Sequence, residues 1–139
     1  MEPAQILFPM TALAAWTFAI LLLIPYARFR AAFAGRVRAK DFRYGESGNV
    51  PGDVSLPNRN FMNLLELPVL FYLACLTLYV TKTVDTAALW LAWGYVVLRV
   101  GHSLVHLTYN NVLHRLGVYA ASVAVLLVIW IRLLLALAR

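Results

Sequence analysis

The chain has 139 residues, 63% of them hydrophobic and 13% charged, with a mean hydropathy of +0.76 and a formal net charge of +6 at pH 7. That balance is too apolar for a water-soluble domain of this size and implies an integral, multi-pass membrane protein built as one domain over residues 1–139. The positive charge does not call for nucleic acid: seven of the twelve basic residues, Arg28, Arg30, Arg36, Arg38, Lys40, Arg43 and Arg59, fall between the first two apolar stretches, where the positive-inside rule accounts for them.

Four apolar stretches, about 6–26, 61–80, 87–107 and 116–138, are each long enough to cross a ~30 Å hydrocarbon layer at ~1.5 Å per residue, which predicts an all-α four-helix bundle. The first carries Pro9 and Pro25, with no ionisable side chain between them. It lacks a basic leader and is followed by arginines rather than small residues, so it reads as a retained span and not as a signal peptide. Gly35, Gly45, Gly48, Pro51, Gly52 and Pro57 then punctuate a charged loop over about 27–58, with the first helix continuing a few turns past the membrane. Charge bias places this loop and the connection over 108–115 on the cytoplasmic side, although Arg132 and Arg139 fall toward the other side. In a bacterial cell the membrane would be the inner one. The loop's basic residues also suit anionic lipid headgroups.

The second predicted helix starts after Pro57, with Asn58 near its N-cap. Pro68 removes one backbone donor, leaves the Leu64 carbonyl without its usual partner and bends the helix beside Glu66, unless it is simply one of the prolines tolerated in membrane helices. Cys75, the only cysteine, excludes an intrachain disulfide and reads as a packing residue. Lys82 and Asp85 mark a short turn before the third helix, where Trp90, Trp93 and Tyr95 supply amphipathic aromatics. The fourth helix begins near Arg115 and is aliphatic to its end.

Three polar clusters interrupt these apolar segments: Arg59, Asn63 and Glu66; Arg99, His102 and His106; Arg115, Tyr119 and Ser122. Within each cluster the spacing of three, four or seven residues puts the members on one helix face. Alternating helix directions bring all three to the same depth, near the cytoplasmic face. Ionisable groups at membrane depth are costly and face a bundle interior or a wet site. Two readings follow. Three guanidinium groups with only Glu66 as counter-ion call for an acidic ligand, held by bidentate arginine contacts with Glu66 receiving an ammonium and Asn63 an amide. Alternatively, Glu66 pairs with Arg59 or Arg99 and the other arginines snorkel to the headgroups. A metal site is not supported: His102 and His106 stand one turn apart, but there is no HExxH pattern, one nearby carboxylate, and arginines that repel a cation. His114 reads as an exposed loop residue. No Ser-His-Asp set, phosphate loop or redox cysteine pair is present.

The pattern Arg59-x3-Asn63-x2-Glu66, Arg99-x2-His102 and Arg115-x3-Tyr119, with Pro68 two residues after Glu66, resembles the membrane-associated proteins in eicosanoid and glutathione metabolism over essentially the whole chain. Within that family the interval from Arg99 to Arg115 is most like the microsomal prostaglandin E synthase branch and its bacterial relatives. The resemblance implies a homotrimer of four-helix subunits, glutathione at each subunit interface, and a lipophilic small-molecule substrate arriving from the membrane lipids. It implies that Arg38, Arg59, Asn63, Glu66, Arg99, His102, His106 and Tyr119 bind glutathione and that Arg115 is catalytic, stabilising the thiolate. Conjugate formation or peroxide reduction follows. Two departures count against prostaglandin-type isomerisation: His106 stands where that branch usually has tyrosine, and Leu116 where it has serine. A noncatalytic lipid-binding accessory protein and a small channel or transporter are the competing classes.

Overall fold

A computed structural model of the chain describes residues 2–138, so Arg139 lies outside the described residues. Among them there is no strand, and four helical spans, Pro3–Phe33, Gly52–Val80, Thr86–Leu107 and Val112–Leu137, are long and apolar enough to cross a membrane. The elements are α1 (Leu7–Phe33), preceded by a short 3-10 turn, then α2 (Gly52–Leu65), α3 (Pro68–Val80), α4 (Thr86–Leu107) and α5 (Val112–Leu137).

The first helix does continue past the expected boundary at residue 26, to Phe33. It stops because Gly35 adopts φ +71°, which lets the Gly35 amide donate to the Ala32 carbonyl and the Arg36 amide to the Ala31 carbonyl, both at 2.9 Å. The chain then turns back at once. Arg36 forks onto Asp53 at 2.7 and 3.0 Å, and those hydrogen bonds push the Arg36 pKa further above its ordinary value. Arg28 pairs with Glu46 at 3.1 Å and lies 4.6 Å over the Phe42 ring, while Val37, Val50 and Val54 pack on Ala31. The basic segment is therefore a folded strap over residues 34–51 and not a loop over 27–58.

Two boundaries differ from the sequence reading. The second span starts at Gly52 rather than after Pro57, because Pro51, at φ −59° and ψ 145°, ends the extended strap and Asp53 sits in the positive first turn. Pro57 lies inside α2 and costs it only one early hydrogen bond. The expected bend at Pro68 is a full break: α2 ends at Leu65, Glu66 leaves the helical region at ψ −94°, and α3 restarts at Pro68. At the last turn, Asn111 caps α5 by accepting from the Leu113 and His114 amides, so α5 starts three residues before Arg115 and includes His114, which is exposed and bonded to the Tyr109 hydroxyl at 2.9 Å.

The main core joins Leu13 and Ile20 of α1, Leu64 of α2, Phe71, Ala74, Cys75 and Leu78 of α3, Ala92 and Tyr95 of α4, and Leu126, Ile129 and Leu133 of α5. Phe71 stacks on Tyr95 at 4.5 Å between ring centroids. Outward, the helices present Phe18, Leu22, Leu70, Leu73, Val97, Leu104, Leu127 and Leu134. That is the distribution of a protein solvated by lipid, with apolar surface outside and polar groups within.

Away from the polar clusters, Asp85 does two jobs. One oxygen accepts from the Ala88 amide at 2.7 Å to cap α4, and the other pairs with Arg132 of α5 at 2.5 Å. Thermal unfolding in detergent should rank wild type above Asp85→Asn, which keeps a capping oxygen but loses the charge, and Asp85→Asn above Asp85→Ala, with the last losing about 1–2 kcal/mol. Equal melting of the two variants would show that the cap contributes nothing.

Candidate functional site

The side of α4 that faces the bundle is a polar column. Tyr95, Arg99, His102, Ser103 and His106 recur at helical spacing and are all buried, Arg99 at 0%, His102 at 3% and His106 at 2% exposure. Ser103 donates to the Asn60 carbonyl oxygen of α2 at 3.0 Å, which ties α2 to α4 through two polar side chains at 0% exposure.

Arg99 is held by the break at Pro68. Because α2 stops at Leu65, the Asn63 carbonyl is among the last four of that helix, which have no partner within it. The Arg99 Nη2 donates to that carbonyl at 2.6 Å, so the guanidinium also lies at the negative end of the helix dipole. Its Cζ lies 5.5 Å from the Tyr119 ring centroid, a cation–π contact from α5. Its Nε and Nη1 are buried without a partner, and no carboxylate among the described residues pairs with it.

The third wall comes from α5 and the turn before it. Asn110 sits in the left-handed region at φ +49°, which asparagine tolerates, and its side-chain oxygen meets both Arg115 Nη1 at 2.8 Å and His106 Nδ1 at 3.1 Å. The His102 ring lies 6.1 Å from His106 and 5.9 Å from Tyr119, centroid to centroid. Ser122 is buried and donates to the Tyr119 carbonyl of its own helix at 2.7 Å.

Of the residues singled out from the sequence, Arg99, His102, His106, Arg115 and Tyr119 converge, together with the Asn63 carbonyl. The Asn63 side chain instead donates to the Arg59 carbonyl at 3.0 Å, within its own helix. Arg38, Arg59 and Glu66 are exposed on the surface of this single chain, and the Arg38 amide donates to Asp41 at 2.8 Å in the strap. The alternative network, with Glu66 paired to Arg59 or Arg99, is not formed: the ion pairs among the described residues are Arg28–Glu46, Arg36–Asp53 and Arg132–Asp85. Sequence reasoning missed Asn60, Ser103 and Asn110. Each had a signal: Ser103 lies one turn after Arg99, Asn60 one turn before Asn63 or Leu64, and Asn110 one turn after His106. Among the described residues no group of three or more potential metal ligands is found.

Chemically the site offers unsatisfied donors of positive charge, an aromatic wall and two imidazoles, but no carboxylate inside. It is suited to an anion. A family model described as the MAPEG family matches residues 6–135. No curated protein and no solved structure matches the chain.

A buried guanidinium without an ionic partner burdens the fold, so Arg99→Met should leave the melting temperature of the ligand-free protein unchanged or raise it, while abolishing anion binding. A fall of several degrees in a thermal melt would instead make Arg99 a structural group.

Proposed function

The chain belongs to the MAPEG family, and from that premise we propose that it is a glutathione-dependent membrane transferase or peroxidase acting on a lipophilic electrophile or hydroperoxide. The observation that carries the reading is Arg99, fully buried with two unpartnered donors, on the same polar face whose His106 end is bounded by Arg115, which has an unpartnered Nε of its own. Glutathione brings two carboxylates, one ammonium and one thiol, which is the charge balance this site lacks. Arg99, with His102 and Tyr119 around it, receives a carboxylate, and Arg115 stabilises the thiolate. A free thiol titrates near ~8.5, and a neighbouring guanidinium lowers that value, with each unit corresponding to ~1.4 kcal/mol in favour of the anion.

Arg59 and Glu66 lie on the outside of a membrane helix with no ionic partner among the described residues. Such charges need a protein neighbour at that depth, which supports a homotrimer with the ligand between subunits, Glu66 taking the ammonium and Arg38 and Arg59 adding positive charge. The basic strap and the Asn110 turn share one end of the bundle, and charge bias assigns that end to the cytoplasm.

An apolar groove of about 240 Å3, lined by Ala14, Thr17, Phe18, Leu21, Phe61, Leu65 and Tyr72, opens from the outer surface onto α2 just before the break at Glu66. It suits a lipophilic substrate entering sideways from the bilayer. The same groove favours a second reading, a noncatalytic protein that holds a lipid there for another enzyme. Arg115 separates the two, since lipid holding does not require it.

Calorimetry on detergent-purified protein should show saturable glutathione binding that Glu66→Ala weakens at least tenfold. Ultraviolet thiolate absorbance should appear on binding and be lost in Arg115→Ala. No binding by the wild type in either assay overturns the glutathione reading, and binding without any thiolate signal favours the accessory protein.

A further inference from the structure

Asn110 determines what His106 can do. Arginine only donates, so the Asn110 atom that Arg115 Nη1 meets at 2.8 Å is necessarily the carbonyl oxygen. The same oxygen is 3.1 Å from His106 Nδ1, and an oxygen acceptor there requires Nδ1 to carry a proton. The neutral ring then has its lone pair at Nε2. That atom is buried and has no partner. Protonating it without a ligand would add a positive charge beside Arg115 of α5 and within electrostatic range of Arg59 of α2, with no carboxylate among the described residues paired to any of the three. His102 stacks beside it on α4, and Tyr119 lies beyond His102. The column thus holds an unpaired proton acceptor one shared oxygen away from the arginine assigned to the thiolate.

We infer that His106 Nε2 is the proton acceptor for the bound thiol and that Asn110 is the positioning residue that fixes its tautomer and aligns it with Arg115. The inference rests on the thiol-activating reading given above. The thiol S–H bond breaks, an Nε2–H bond forms, and the electron pair stays on sulfur beside Arg115. Total charge within the site is unchanged by the transfer, which is why it is permitted in a place where a lone imidazolium is not. In addition to a carbon electrophile, the sulfur–carbon bond forms and Nε2 returns its proton to the carbanion or alkoxide so created. Position 106 therefore does more than replace a tyrosine: a phenol would donate to a thiolate, whereas this imidazole edge accepts from a thiol.

The test is a proton count. Glutathione binding is measured calorimetrically in two buffers of different ionisation enthalpy, with thiolate absorbance followed alongside. The wild type should show thiolate and a binding enthalpy independent of buffer, because the proton stays in the site. In His106→Gln the thiolate signal at neutral pH should fall severalfold, or persist only with release of a proton to the buffer, and kcat for conjugation should drop about 100-fold with little change in KM. Asn110→Ala should behave like His106→Gln. Thiolate formation in the wild type accompanied by release of one proton, which needs no variant to observe, overturns the inference and leaves the thiol reading standing. An undiminished thiolate signal without proton release in His106→Gln overturns it too. Absence of both binding and thiolate in the wild type overturns the thiol reading itself, and this inference with it.

Discussion

Arg99 against the broken end of α2 is the contact around which the polar interior is organised. A guanidinium at membrane depth normally needs a carboxylate, and here it has a helix end instead. Pro68 lacks an amide hydrogen and stops α2 at Leu65, which frees carbonyls in the last turn. One of them, that of Asn63, accepts from Arg99 at 2.6 Å. Roughly half an elementary charge at the helix terminus is only partial compensation. Nε and Nη1 stay without a partner, and the anionic ligand proposed above would meet that shortfall.

The rest of the bundle keeps that incompletely satisfied group in place. The stacked Phe71 and Tyr95 lie on the core side of the column, the Asn60–Ser103 bond joins α2 to α4, and Asn110 anchors the side chains of Arg115 and His106. A soluble protein would enclose apolar groups and leave the charges outside. Lipid reverses that arrangement, and the exposed faces of α3 and α5 are correspondingly aliphatic.

Much of this was legible in the sequence. Helical spacing placed Arg99, His102 and His106 on one face, and length and hydropathy marked the four spans, because both depend on local periodicity alone. Other features depend on tertiary context. Pro57 looked like a helix start, yet Pro51 and the Arg36–Asp53 fork set the boundary, and no local rule ranks one proline above another. Asn60 and Ser103 are unremarkable polar residues until two helices bring them within 3.0 Å. Asn110 lies in the connection over 108–115 and drew no notice there, because its side chain acquires its role only when α5 returns beside α4. Glu66 was expected to face the other polar groups, but the helix breaks at that residue and leaves its carboxylate on the outer surface of the chain.

The strap between α1 and α2 bears on the order in which the protein assembles. Its contacts, from Arg28 with Glu46 to Arg36 with Asp53, lie between residues close in sequence, so the first two helices can lock as a hairpin as soon as α2 has emerged. The polar column is completed later: α2 offers it the Asn60 side chain and the Asn63 carbonyl, but its third wall is still missing when α4 arrives. Arg99, His102 and His106 enter with α4, but Arg115 and Tyr119 arrive only with α5, which packs along α4. Until that last helix inserts, the side of the column that meets Arg115 and Tyr119 is uncovered, and the arrival of α5 sets how long the chain stays in that state.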